Sequence, residues 1–206
     1  MLDGMESFEQ RVRMFTPRSF LKGLLFGAAL PCLLALPVSG ADLEPGYVSL
    51  FNGKDLTGWQ YTEAEKFDGK TSASDERYVA KDGVLVVQPL GTGPRLRQLW
   101  TAKQFPTNFT LKLEFRAAVN ADSGIFVRKP QLQCRDYLVA GPYKELKQYK
   151  PQDWNEVVIV VRNNVAHCTC NGEVLEAALN LPETGPIGLE ADRGQMEYRN
   201  LRLRQE

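Results

Sequence analysis

Short runs that alternate apolar and polar residues, separated by Asn-Gly and Asp-Gly pairs, dominate residues 77–204 of this chain. A helix would return its apolar positions every three or four residues, whereas a repeat of two belongs to a half-buried β-strand. Residues 109–116 show it plainly, with Leu111, Leu113 and Phe115 on one face and Lys112, Glu114 and Arg116 on the other. The pairs between runs, Asp82-Gly83, Asn163-Asn164 and Asn171-Gly172, tolerate the left-handed backbone of tight turns. Residues 77–80 with 84–87, and 155–161 with 165–170, therefore read as hairpins. Further strands are predicted at 47–51, 125–128, 174–175, 186–190 and 196–203, with a polar loop at 62–76 and a Gly-rich one at 90–97. Strands in this rhythm predict an all-β sandwich or jelly roll.

Residues 1–41 have a different character. Arg11, Arg13, Arg18 and Lys22 lead into an apolar run at 24–36 broken only by small residues and Pro31, and Val38-Ser39-Gly40-Ala41 offers small residues for cleavage. The run is short for a bilayer-spanning helix, which needs about 20 apolar residues. The expectation is a secretory signal removed near Gly40 or Ala41, leaving one domain at 42–206, exported to the periplasm or the exterior and without a stable membrane span. An uncleaved anchor is the alternative. Cys32 follows a proline, which does not suit lipid attachment.

Lysine and arginine together number 25, as do aspartate and glutamate, so no global field recruits nucleic acid or a membrane surface. Cys134, Cys168 and Cys170 are an odd set that cannot pair completely within one chain, and both one disulfide and buried free thiols are open readings. His167 is the sole histidine, too little imidazole to build a zinc site with these cysteines. No cofactor is evident, and a divalent metal stays an open expectation.

Seven segments carry a resemblance. GYVSLFNGKDLTGWQ (46–60), KDGVLVV (81–87), FTLKLEFR (109–116), DSGIFVR (122–128), DWNEVVIVVRNN (153–164), CNGEVL (170–175) and GPIGLEADRGQMEYRNLRL (185–203) resemble, in order, the landmarks of the 3-keto-disaccharide hydrolase domain family. The resemblance covers nearly all of 42–206. It implies a concanavalin A-like, LamG-like jelly roll that holds its ligand on a concave sheet, with an oxidised glycoside as that ligand. A ketone at C3 acidifies the C2 proton, so a base can abstract it, an electrophile can stabilise the enolate, and an acid can assist departure of the C1 oxygen. Water added across the resulting double bond completes net hydrolysis.

Several residues could supply these parts. Glu114 and Arg116 share the polar face of their strand. Arg128 falls by alternation on one face with Gly124 and Phe126, and Glu190 and Asp192, two apart, project together from an extended chain. The leading assignment is Glu190 or Glu114 as base or acid and Arg128 as the electrophilic anchor, with Arg116, Gln133, Glu190 and Asp192 in the same concave site. Two departures from the resembled pattern matter. Many members carry Tyr-Glu-x-Gln where this chain has Pro130-Gln131-Leu132-Gln133, and many carry Gln-x-His where it has Glu190-Ala191-Asp192. Gln131 can hydrogen-bond a sugar but cannot take a proton. Trp100 is the candidate sugar platform, His167 a further candidate contact, and Trp59 and Trp154 read as core or corner residues. The rival functions are a noncatalytic carbohydrate-binding module, which needs platforms and amides but no carboxylate, and a surface domain that docks another protein.

Overall fold

The computed structural model describes residues 43–89, 97–106, 108–138 and 143–206; the expected signal segment with Cys32, and residues 90–96 of the expected Gly-rich loop, lie outside them. Among the described residues no helix is long and apolar enough to cross a membrane. The chain runs through fourteen described strands: β1 Val48–Ser49, β2 Trp59–Thr62, β3 Glu65–Lys66, β4 Tyr78–Lys81, β5 Val84–Val87, β6 Arg97–Thr101, β7 Phe109–Ala117, β8 Asp122–Val127, β9 Gln131–Arg135, β10 Asn155–Arg162, β11 Val165–Cys170, β12 Glu173–Asn180, β13 Ile187–Ala191 and β14 Met196–Gln205. They form the two antiparallel sheets of a jelly-roll sandwich. One has eight strands in the order β12-β11-β10-β7-β14-β5-β4, with β1 paired on β14, and the other six in the order β3-β2-β6-β13-β8-β9.

Alternation explains the larger sheet. β7 buries Phe109, Leu111, Leu113, Phe115 and Ala117, its neighbour β10 buries Val157, Ile159 and Val161, and apart from the buried Thr110 the residues between them are partly exposed. The expected hairpins form: Asp82 (φ 50°), Asn163 (φ 49°), Asn164 (φ 61°) and Asn171 (φ 48°) all take the left-handed conformation that their turns require. The smaller sheet contributes Trp59, Tyr61, Leu99, Ile125, Val127, Leu132, Ile187 and Leu189 to the same core. Its strands β2, β3, β6 and β9 lie where the sequence predicted a corner, loops or nothing regular.

The two sheets are tied together beneath β13. Ser123 Oγ donates to the Glu190 carbonyl at 2.7 Å and lies 2.7 Å from the Tyr198 hydroxyl, and the Tyr78 hydroxyl donates to the carbonyls of Arg97 (2.6 Å) and Leu189 (2.7 Å). Tyr78 and Tyr198 come from β4 and β14 of the opposite sheet, so buried hydroxyls hold β13 from beneath. Such buried polar groups must be partnered, and here the partners are backbone atoms that fix strand position. Cys134, Cys168 and Cys170 are free, buried thiols. Burial pushes Cys168 and Cys170 up to about 12, which makes them unreactive packing residues.

Candidate functional site

The outward face of the six-stranded sheet carries an apolar row set among amides and carboxylates. Gln60 pairs with Trp100, Trp100 with Gly188, Gly188 with Phe126, and Phe126 with Gln131, so these residues form a line across five strands. The Trp100 and Phe126 rings meet with centroids 5.2 Å apart and planes tilted by 49°. They meet over Gly188, where a Cβ would lie 2.5 Å from Trp100 Cε3 and Cζ3. Only glycine admits the indole so close to the strand. The result is a partly exposed aromatic platform of the kind that takes the apolar face of a pyranose.

Two residues along β13 stands Glu190. Its neighbours Leu189 and Ala191 face the core, so its side chain turns outward onto the platform face, yet only 8% of the residue is exposed. Gln131 closes over it: the side chain folds across Gly124, where a Cβ would lie 2.0 Å from Gln131 Nε2, and Nε2 donates to Glu190 Oε2 at 2.5 Å. Burial raises the Glu190 carboxyl above the ordinary carboxylate range, the Gln131 bond opposes this, and the negative charges of Asp192 and Asp122 reinforce it. Gln98 is its cross-strand partner on β6. Beside this group, Gln133 Nε2 donates to Asp122 Oδ1 at 2.6 Å, and Asp122 also faces Arg135 (3.2 Å) and Arg193 (3.7 Å).

The structure thus brings together Trp100, Gln131, Gln133, Glu190 and Asp192. It does not bring Glu114 and Arg116 to them. Both lie on β7, in the eight-stranded sheet, on its outward face. There Glu114 accepts from Arg199 Nε and Asn200 Nδ2, each at 2.7 Å, while Arg116 pairs with Glu197 at 2.5 Å. Trp154 is on that face too, with the Arg199 guanidinium 3.9 Å and the Arg116 guanidinium 4.8 Å from its ring centre, so it is neither core nor sugar platform of the Glu190 face. His167 is exposed on β11, its Nδ1 3.3 Å from the Ala177 carbonyl. The expectation of one shared site is corrected accordingly: alternation shows which residues share a strand face, not which sheet the strand joins.

Arg128 is displaced from its expected face for a different reason. Its φ of 62° ends the extended run of β8, so the alternation that places Gly124 and Phe126 outward stops before it. The residue is 4% exposed, Nε donates to the Phe105 carbonyl at 2.7 Å, and Nη1 donates to Asn164 Oδ1 (2.8 Å) and the Pro182 carbonyl (2.7 Å). Its backbone amide bonds Pro186, before the start of β13, whereas Glu190 lies near that strand's other end. Gln98, Phe126 and Gln60 are site residues that the sequence reading did not select. The alternation in Arg97-Gln98-Leu99-Trp100-Thr101, with Leu99 and Thr101 buried, is the signal that points to two of the site's outward residues, Gln98 and Trp100. Among the described residues no three acidic, histidine or cysteine side chains converge as a metal-binding set.

Comparison with known proteins gives one family. The sequence profile of the 3-keto-alpha-glucoside-1,2-lyase-like domain matches residues 46–204. No curated protein sequence matches the chain. Among solved structures, a protein of Parabacteroides distasonis provisionally assigned as a glycosyl hydrolase is similar at 20% identity, over 78% of this chain and 94% of that one, with a TM-score of 0.60. A second from the same organism, with the same provisional assignment, is 20% identical over 78% of this chain and 99% of that one, with a TM-score of 0.56. At this identity both likenesses speak to the fold.

Proposed function

As this chain belongs to the 3-keto-alpha-glucoside-1,2-lyase-like domain family, a carbohydrate-active family, we propose that it eliminates the C1 substituent from 3-keto-glycosides, with Glu190 as the proton-transferring group. The observation that carries the reading is the setting of Glu190: a nearly buried carboxyl with a raised proton affinity, beside the Trp100–Phe126 platform. A raised carboxyl suits both halves of the reaction, since it takes a proton more readily as base and can return it as acid.

In this mechanism the sugar ring lies on the platform with its C2 hydrogen toward Glu190. The carboxylate removes that proton, and the electron pair passes into the C3 carbonyl as an enolate. The amide of Gln98, beside Glu190, is a suitable donor to the developing oxyanion. Collapse of the enolate forms C1=C2 and breaks C1–O, and the proton held on Glu190 goes to the departing oxygen. Water added across the double bond turns elimination into net hydrolysis. The basic-apolar-small leader of residues 1–41 supports action outside the cytoplasm, in the periplasm or beyond.

The binding-module reading draws on the same platform and amides, because a lectin uses them equally. What separates the two is the carboxyl. An assay of the protein against 3-keto-glycosides and their unoxidised parents decides between them: release of the C1 alcohol from the oxidised set alone is expected. Binding of both sets with turnover of neither would leave the binding module.

A further inference from the structure

A groove of about 580 Å³ opens beside Trp100, and the elimination step at Glu190 makes no use of it. Gln60 and Lys66 line it from β2 and β3, Trp100 from β6, and Lys129 and Pro186 from the chain flanking β8 and β13. Pro186 precedes Gly188 along the chain, so the groove lies across the Trp100–Gly188 row from Glu190. At roughly 3.3 Å per strand residue, Pro186 stands about 13 Å from Glu190. That is a span for two linked sugar units, not one.

Two independent observations mark the groove as a binding place. The side-chain oxygen of Gln60 is buried and has no hydrogen-bond partner. A buried acceptor without a donor is costly, and a ligand hydroxyl would satisfy it. The charge is also one-sided, with Lys66, Arg128 and Lys129 set against Glu63 among the lining residues. Lys66 and Lys129 are exposed, and neither belongs to an ion pair among the described residues.

The geometry points to a second saccharide subsite in this groove, one that takes a leaving group bearing a negative charge, either a uronate carboxylate or a sulfate ester. The inference rests on the reading that the keto sugar occupies the Glu190 side of the platform. Its C1 substituent then crosses Trp100, offers a hydroxyl to Gln60 Oε1, and brings its anion to Lys66 and Lys129.

Calorimetric titration of the purified protein with three unoxidised disaccharides tests this without any turnover, since none carries the ketone. The ligands differ only in the reducing unit: glucose, glucuronate, or glucose 6-sulfate. An anionic ligand is expected to bind about tenfold more tightly than the neutral one at low ionic strength, with the advantage shrinking in high salt. A larger advantage for glucuronate identifies the carboxylate as the source, and a larger one for the ester identifies the sulfate. In K66Q/K129Q the advantage should vanish while neutral-ligand affinity, which also reports correct folding, stays at the parent value. In K66E/K129E the preference should reverse. Equal affinity for all three ligands, no measurable binding of either anionic ligand, or an advantage that survives K66Q/K129Q overturns the subsite. An intact charge preference in a protein that turns over no 3-keto-glycoside sinks the lyase reading alone.

Discussion

Gln131 Nε2 donates to Glu190 Oε2 at 2.5 Å, across a glycine, Gly124, that leaves room for nothing else. At both positions the sequence departs from the pattern it otherwise resembles, glutamine standing for glutamate at 131 and glutamate for glutamine at 190. Seen singly, each departure weakens an enzymatic reading, the first by deleting a carboxylate and the second by displacing an amide. Placed in contact, they conserve one carboxylate and one amide in the same hydrogen bond.

Glu190→Gln should abolish turnover and stabilise the fold at neutral pH. A carboxyl raised in the folded state holds its proton more tightly there than in the unfolded chain. Its ionisation therefore erodes stability as pH rises from the ordinary glutamate value, about 4.3, through the folded value, and the full cost is present above both. The variant removes that cost. Its thermal midpoint should exceed the parent's at pH 7, and the gap should close as the pH falls below about 4.3. Turnover of 3-keto-glycosides should drop by about 10²- to 10⁴-fold, and the parent's acid limb should lie above the ordinary carboxylate range. Parent-like turnover in the variant would make Glu190 a binding residue at most.

Gly188→Ala should damage ligand binding as well as folding. The added methyl would lie 2.5 Å from the six-membered ring of Trp100, and the partly exposed indole can swing away where a core residue could not. A loss of about 1–3 kcal/mol in stability is expected from the crowding. Calorimetry should show affinity for a neutral disaccharide falling about tenfold, as befits a lost sugar platform. Unchanged affinity would remove Trp100 from the site.

Arg128→Lys keeps the charge and loses the planar fork. The bonds to Phe105, Asn164 and Pro182 are made from Nε and Nη1, and a single ammonium cannot reproduce that geometry. Stability should fall by about 3 kcal/mol in urea titrations, while turnover by the protein that remains folded changes little. The reverse result, intact stability with lost turnover, would restore Arg128 as the enolate anchor that the sequence suggested.

The eight-stranded sheet was legible because β7, β10 and β11 are long, alternate cleanly and end in Asn-rich turns. In the six-stranded sheet β8 and β13 were legible as well, whereas β2, β3, β6 and β9 were not. That sheet's outward face presents Trp100, Phe126 and Gly188 where an ordinary solvent face presents charges, so the contrast between faces that betrays a strand is erased. β13 shows no contrast at all, with every residue of Ile187–Ala191 buried, and was legible only as a short run between turn residues. Glu190 was found as a candidate because it is a carboxylate in a resembled motif. Its partner on β6, Gln98, carried no such mark. Glu114 was misplaced because its strand face looks just as polar from the opposite sheet.

The exchange of residues between positions 131 and 190 yields the sharpest test. Gln131→Glu alone puts two carboxyls within hydrogen-bond reach, where both cannot ionise together, so it should bind one proton more tightly than the parent and lose stability as pH rises. Glu190→Gln alone leaves two amides and no acid-base group, and should be inactive. The double variant, Gln131→Glu with Glu190→Gln, rebuilds one carboxylate and one amide in the opposite order. If the pair acts as a unit, the double variant should recover turnover well above that of Glu190→Gln, with stability close to the parent, a strong departure from additivity in the cycle. Turnover as low as in Glu190→Gln would mean that the proton must be handled from β13 itself, and that the contact with Gln131 only positions the carboxyl.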